Sequence, residues 1–304
     1  MQSLVRLALA SSLVFAAACG GSAGTVDGPL DPAASSGGSG SGSEEPGASS
    51  GSPGTPGTTP SGPQVTLALR GTTAPVAHAD AFSSQTPKSQ GVAVRSLWLY
   101  KSATDPNPLK VVDLGNTSVE TDLVSGKTND IGSVSLKSLP AGTYTLAKVG
   151  VAYVRYRVAA RLHSTLGAVD GRYDNVEALS DGVVIDGQTR AKGWFRSDFG
   201  VGETSYGTFE GANAPLPQLP SSGGMTLETT GPNSFYVFPM NVTIDPNEPK
   251  DQRVVCEVNV HESFRWQDQP QAGYAAKIFD TTPTTYETVM SFGASAFSLF
   301  LEPK

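Results

Sequence analysis

The chain has few residues of the kinds that cross-link small folds through disulfides or metals. Its 304 residues include 2 cysteines and 3 histidines. Disulfide-rich domains need a much higher share of cysteine, so a disulfide framework is excluded. The three histidines, His78, His163 and His261, are not paired at the sequence spacing of metal ligands. The cysteines and histidines therefore give no indication of a zinc site, and the sequence predicts no cofactor.

Clusters of positive charge are also missing. The chain has 21 basic and 28 acidic residues, a net charge of −7. The charges are spread along the sequence, whereas nucleic-acid binding relies on grouped Lys and Arg. We therefore expect no nucleic-acid partner.

Long apolar runs are scarce, and the clearest one stands near the N-terminus. Residues 7–18 are Leu, Val, Phe, Ala and Ser, and Arg6 is the only charged residue before them. A run of about twelve residues is too short for a membrane helix, which needs about 20. Residues 1–18 are therefore predicted to be a signal peptide. No later run is apolar enough to span a bilayer as a helix.

The end of this run has a recognisable motif. Ala16-Ala17-Ala18-Cys19 resembles the lipobox of bacterial lipoproteins, although Ala16 stands where Leu is usual. The resemblance implies that the Cys19 thiol receives diacylglycerol and that acyl chains such as palmitate anchor the protein in a membrane. Gly20, rather than Asp, follows the cysteine, and by Gram-negative sorting rules this implies the outer membrane. The alternative is an ordinary secretory signal that is cleaved near Ala18.

Residues 19–63 lack core-forming side chains. They are mainly Gly, Ser, Pro and Thr, without aromatics, and Val26 and Leu30 are their only large aliphatics. Such a segment cannot bury enough apolar surface to offset the entropy of ordering. We expect a disordered tether, with a root-mean-square reach of roughly 35–40 Å.

From residue 64 onward the pattern is typical of β structure. Residues 254–266 alternate most clearly, with Val254, Cys256 and Val258 on one face. If Cys19 is acylated, Cys256 has no partner in the chain and is expected to be a buried, inert thiol.

Residues 235–244 alternate in the same way, and Pro239 among them favours an edge position or a bulge. Turn-forming residues 245–249 separate this segment from residues 254–266, so we expect the two to pair as an antiparallel hairpin. Further strands are predicted at residues 64–70, 93–100, 118–123, 133–136, 144–162, 183–186, 191–195, 225–229 and 288–301.

Many short strands between Gly and Pro, without a convincing helical period, indicate an all-β fold. The prediction is an antiparallel β-sandwich at residues 64–304, as one large or two packed sandwiches. A subdivision would fall near residues 163–190.

Two segments add a family resemblance. The sequence Leu-Pro-Ala-Gly-Thr-Tyr at residues 139–144, between two apolar segments, resembles the turn of prealbumin-like and immunoglobulin-like domains in bacterial surface proteins. Together with Val112-Asp113-Leu114 and Asp122-Leu123, it is similar to bacterial lipoproteins whose domain has no assigned function. Residues 264–269 and 292–294 resemble uncharacterised lipoproteins of Gram-negative soil bacteria such as myxobacteria. These resemblances imply a location and a β fold, but no catalytic residues.

Acidic residues between 170 and 186 offer a candidate calcium site. Asp170, Asp174 and Asp181 could supply the oxygen ligands that Ca²⁺ prefers. Their spacing departs from that of known calcium loops, and a solvated acidic loop is the alternative.

Aromatic residues offer a candidate ligand site. Trp194 and Trp266 could stack on sugar rings, with neighbouring amides holding the hydroxyls. The alternative is that both belong to the core, which suits Trp266 because it continues the apolar face of residues 254–266.

Catalytic motifs are weak. His261-Glu262-Ser263-Phe264-Arg265 follows the zinc-protease motif H-E-x-x-H until its last position, where Arg265 cannot bind zinc.

Taken together, Cys19, the tether and the lack of a catalytic motif predict a lipid-anchored envelope protein with a structural or binding role and without catalysis. Its expected partners are the membrane and a protein or polysaccharide at the cell surface. The alternative is a carbohydrate-binding or carbohydrate-active module.

Overall fold

The computed structural model describes residues 62–214, 216–217, 224–283 and 285–304. The predicted signal peptide, Cys19 and nearly all of the predicted tether lie outside these residues. Within them, no helix has the length and apolar character needed to cross a membrane.

The regular secondary structure of the described residues is almost entirely β strand, which confirms the predicted all-β class. One turn of 3-10 helix, Leu136–Ser138, is the exception to the strands and loops of this part of the chain. The strands are β1 (Gln64–Thr72), β2 (Ser83–Gln85), β3 (Ser89–Tyr100), β4 (Leu109–Asp113), β5 (Val119–Asp122), β6 (Thr128–Ser135), β7 (Gly142–Ser164), β8 (Gly167–Ala178), β9 (Val183–Ile185), β10 (Gln188–Arg190), β11 (Phe195–Val201), β12 (Thr204–Gly211), β13 (Thr226–Glu228), β14 (Ser234–Ile244), β15 (Gln252–Asn259), β16 (Phe264–Gln267), β17 (Asp280–Thr281), β18 (Thr288–Ser291) and β19 (Ala296–Pro303).

These strands form one large sheet and three smaller ones. The large sheet has the order β12-β11-β8-β7-β14-β13. Strands β3 and β17 also pair with β7, and β4 and β5 pair with β3. A second sheet has the order β19-β15-β1-β6, a third has the order β18-β16-β2, and β9 and β10 form a hairpin. Most pairs are antiparallel, but β1 pairs with β15 and β17 pairs with β7 in parallel.

The long strand β7 organises the large sheet. It has 23 residues, of which β14 pairs with the first part and β8 with the second. Strand β3 pairs along residues 146–157 of β7, on the opposite edge. As a result, β8, β11 and β12 form one end of the large sheet.

The core lies between the large sheet and the β19-β15-β1-β6 sheet. Apolar side chains of β1 and β15, such as Leu67 and Val254, share one buried cluster with Val149 of β7. The ring of Phe297 in β19 lies 5.8 Å from Tyr236 and 5.6 Å from Phe238, both in β14 of the facing sheet. Two sheets that face each other across an apolar layer are the arrangement of a β-sandwich.

The predicted hairpin between residues 235–244 and 254–266 is wrong. Strand β14 pairs with β7 and β13, while β15 pairs with β1 and β19 in the other sheet. The residues between β14 and β15 therefore cross from one sheet to the other. Pro239 lies at a shift of register in β14, which confirms the predicted bulge.

The predicted strand over residues 254–266 is interrupted. It ends at Asn259 and resumes at Phe264, because the chain turns at His261 and Glu262. Glu262 has a φ of 49°, in the left-handed region. Glu262 falls at an even position, as Val254 and Val258 do, and would break the apolar alternation of a continuous strand; the turn explains this exception.

The acidic segment that the sequence suggests as a loop is largely strand β8. Asp170 and Asp174 lie on this strand and alternate with residues of the opposite face. Charged side chains on a strand are compatible with a solvated face, so composition alone misassigned this element.

Candidate functional site

The end of the large sheet is uncovered on its inner face. There β12 pairs with β11 and with no other strand of the described residues. Tyr206 and Phe209 of β12 are 64% and 61% exposed. Phe209 lies opposite Ser197 of β11, on the face of the sheet that is buried further inward. The apolar face of the sheet thus continues beyond the sandwich and remains open to solvent.

A groove of about 230 Å³ lies between β11, β12 and the segment around residue 282. We call it the aromatic groove, because five of its lining residues have aromatic rings. Tyr286 forms part of its rim, is 41% exposed, and has its ring 5.8 Å from that of Tyr173. The aromatic lining residues are Tyr173, Phe199, Tyr206, Phe209 and Tyr286.

A small hydrogen-bonded array begins in the lining of the aromatic groove, with Tyr173 and Ser197, and continues to Asn175 outside that lining. The Oγ of Ser197 accepts a hydrogen bond from the Tyr173 hydroxyl at 2.8 Å and one from Asn175 Nδ2 at 2.9 Å. Because residues 173, 175 and 197 are on neighbouring paired strands, the sheet fixes their positions. The Oδ1 of Asn175 is buried and has no hydrogen-bond partner among the described residues. The array can therefore accept a further hydrogen bond.

Next to the groove is a smaller cavity of about 50 Å³, which Tyr173 and Tyr286 also line. Glu177 lies in its wall and is 2% exposed, with no hydrogen-bond partner for Oε1 among the described residues. Burial raises the pKa of Glu177 to about 8. The carboxyl group is therefore mainly protonated at neutral pH and can donate a hydrogen bond.

The outer face of the same strands has a larger, charged cleft of about 500 Å³. Its arginines already have carboxylate partners: Arg157 Nε lies 2.7 Å from Asp174 Oδ1, and Arg172 Nε lies 3.1 Å from Asp174 Oδ2. A third, Arg196, lies 2.8 Å from Asp186. Because its charges compensate one another, we regard the aromatic groove as the better candidate for ligand binding.

The tryptophans that the sequence suggests do not line the aromatic groove. Trp266 is 0% exposed, and its ring lies 5.8 Å from Phe264 and 5.7 Å from Phe279. Trp194 packs against a small buried cluster, and the Arg190 guanidinium lies 3.9 Å above its ring. Trp266 thus belongs to the core, and one face of Trp194 is covered.

The acidic residues proposed as calcium ligands are each engaged separately. Asp170 Oδ1 lies 2.6 Å from Arg161 Nε, and Asp174 accepts from Arg157. Asp181 Oδ1 accepts the backbone N–H of Lys192 at 2.8 Å. The structure does not bring these three carboxylates together as a group that could hold a metal. Cys19, the predicted lipidation site, lies outside the described residues.

The sequence does not single out the aromatic residues of the groove as candidate binding residues. The segment Thr-Ser-Tyr-Gly-Thr-Phe-Glu-Gly at residues 204–211 contains two aromatics among small and polar residues, a composition that suits an exposed strand.

Comparison with protein-family models, with curated proteins and with solved structures found no match to this chain.

Proposed function

We propose that the chain is a lipid-anchored envelope protein of the outer membrane whose β domain is a binding module. The anchor rests on Cys19, which follows a short apolar run and precedes a segment without core-forming residues. The binding role rests on the aromatic groove, whose rings stay exposed at the end of the large sheet. Exposed apolar patches of this kind are typical of interaction sites.

A carbohydrate is the ligand class that suits the groove best. Saccharides have apolar ring faces and polar hydroxyl groups, so they need aromatic surfaces beside hydrogen-bonding groups. Tyr206 and Tyr286 supply exposed rings, while Ser197 and Asp198 add polar groups to the same lining. This combination favours the carbohydrate-binding alternative over a purely structural role.

The anchor is tested by labelling cells with a radioactive fatty acid. We expect label in the wild-type protein and in Cys256→Ala, and none in Cys19→Ala. Cys256 is the matched control because it is 2% exposed and burial raises its pKa to about 12, so it is unreactive. Equal label in the wild type and Cys19→Ala would contradict the anchor.

The binding role is tested by retention of the full chain on peptidoglycan and on envelope polysaccharides. Loss of both Tyr206 and Tyr286 to Ala is expected to weaken binding about tenfold, since an aromatic contact contributes about 0.5–1.5 kcal/mol. Val184→Ala is the control, because Val184 is 55% exposed but lies on β9, outside the groove lining. Retention that is unaffected by the double substitution would contradict the assignment of the groove.

A further inference from the structure

Three side chains from two distant segments meet beyond the end of β15. His261 and Glu262 occupy the turn between β15 and β16, and His78 lies in the segment between β1 and β2. Each offers one ligand atom, and the three atoms lie within 4.8 Å of one another. Two imidazoles and a carboxylate form a common ligand set of zinc proteins.

The turn that holds His261 and Glu262 is fixed by several hydrogen bonds. The His261 N–H donates to Asn259 Oδ1 at 2.8 Å, and its carbonyl accepts from Ser295 Oγ at 2.5 Å. The Glu262 N–H donates to Thr86 Oγ1 at 2.9 Å. Since both backbones are tied to neighbouring segments, the two side chains start from defined positions.

The segment with His78 is tied to the same turn. Asn259 Nδ2 donates to the carbonyl of Ala74 at 2.9 Å, and the Val76 N–H donates to His261 Nδ1 at 3.3 Å. These bonds bring His78 beside the turn. His78 Nε2 is buried without a hydrogen-bond partner among the described residues. A buried polar atom without a partner is uncommon, and an ion is one way to satisfy it.

The backbone at Glu262 is a further indication. Its φ of 49° is unusual for a residue with a side chain, and such conformations concentrate at functional sites. Glycine would adopt this turn without strain. The glutamate at this position instead places a carboxylate beside two imidazoles.

We propose that His78, His261 and Glu262 bind a divalent transition metal ion of the Zn²⁺ class. Imidazole nitrogen suits Zn²⁺ and its neighbours, whereas Ca²⁺ and Mg²⁺ prefer oxygen ligands. His261 Nδ1 accepts only a 3.3 Å hydrogen bond, from the Val76 N–H, and a metal bound through this nitrogen would displace it. Three protein ligands leave a fourth position for water or another ligand.

The test is a titration of the purified full chain, without a histidine tag, after a chelator has removed bound metal. We expect one Zn²⁺ per chain by calorimetry, and Co²⁺ should give the visible absorption of a four-coordinate site. His78→Ala and Glu262→Gln should each weaken Zn²⁺ binding about tenfold or more, because even the loss of a group that only orients a ligand costs about 10–100-fold in metal affinity. Glu248→Gln is the matched control, because Glu248 lies in the turn after β14, outside the cluster.

Two further results keep the test decisive. Without metal, the variants should unfold at the same temperature as the wild type, and Zn²⁺ should raise the unfolding temperature of the wild type and the control alone. Binding of equal strength by the wild type and by both ligand variants would overturn the proposal, because the metal would then sit elsewhere. Absence of saturable Zn²⁺ binding by the wild type would also overturn it.

Discussion

Two aromatic regions of this protein differ in how they are covered. The first lies around Trp266, where Phe264 and Phe279 pack on the indole and the side chains are fully buried. The second is the aromatic groove, where Tyr206 and Phe209 extend from an edge strand into solvent. Both regions are rich in aromatic rings. The core therefore differs from the candidate binding surface in whether other parts of the fold cover the rings, and not in residue type.

The two regions also differ in whether their buried polar atoms have hydrogen-bond partners. The indole N–H of Trp266 donates to Asp268 at 3.0 Å, so the core ring has its partner. Near the groove, Asn175 Oδ1 and Glu177 Oε1 are buried without hydrogen-bond partners among the described residues. Such groups lower the stability of the free protein. This combination of open rings and unsatisfied polar atoms is what we expect of a site that a ligand completes.

The largest difference should appear when one ring is removed from each region. Trp266→Ala should lower the free energy of unfolding by about 3–5 kcal/mol, because it leaves a large cavity in the core. Phe209→Ala should change it by less than about 1 kcal/mol, because the ring is 61% exposed. Urea unfolding of both variants measures the contrast, and similar losses would show that the groove is packed like the core.

The second effect concerns pH. The pKa of Glu177 is raised to about 8 from an unfolded value of 4.5, so the folded protein binds this proton more tightly. Its contribution to stability is therefore full below pH 4.5 and is lost as the pH rises through 8. Replacing the carboxyl group with an amide removes this dependence.

We accordingly expect Glu177→Gln to gain stability relative to the wild type, by roughly 4 kcal/mol, as the pH rises from about 5 to 9. Urea unfolding at a series of pH values gives the comparison. Glu210→Gln, an exposed change on β12, should follow the wild type. Parallel pH profiles for the wild type and Glu177→Gln would mean that the carboxyl group is not desolvated.

A smaller effect is expected from the polar array. Ser197→Ala leaves the Tyr173 hydroxyl and Asn175 Nδ2 without their common acceptor, and should cost about 1–2 kcal/mol of unfolding free energy. Ser205→Ala on the exposed strand β12 should cost less than about 0.5 kcal/mol. Thermal unfolding distinguishes the two, and an equal loss would remove the distinction between the fixed array and the open edge of the groove.

The smallest effect is expected from calcium. Asp170, Asp174 and Asp181 have separate partners, so Ca²⁺ should leave the unfolding temperature unchanged. Asp170→Asn should be indistinguishable from the wild type, because the ion pair with Arg161 is exposed to solvent. A rise in unfolding temperature with Ca²⁺ that Asp170→Asn abolishes would restore the calcium site.

The sequence predicts the buried strands of this fold well and their partners poorly. Alternation locates β7 and β14, because a strand with one face in a core repeats every two residues. It does not tell which sheet a strand joins, so the predicted hairpin of β14 and β15 is wrong. Strand β8 was not predicted, because the charged side chains on its solvated face give it the composition of a loop.

Functional residues were harder to predict than strands. Trp194 and Trp266 were candidates because an indole ring can stack on a sugar, but Trp266 is buried in the core and Arg190 covers one face of Trp194. Tyr206 belongs to a short segment without apolar alternation, and its 64% exposure on the edge strand β12 emerges only in the structure. His78 lies far along the chain from Glu262, so a search at motif spacing could not pair them.

Hydroxyl-radical footprinting of the full chain, with and without envelope polysaccharide, tests the central contrast most directly. Tyr206, Phe209 and Tyr286 should be oxidised in the free protein and protected by the polysaccharide, while Trp266 should be unreactive in both states. Protection of Tyr206 in the free protein, or oxidation that the polysaccharide does not change, would contradict the assignment of the uncovered end of the sheet as the binding surface.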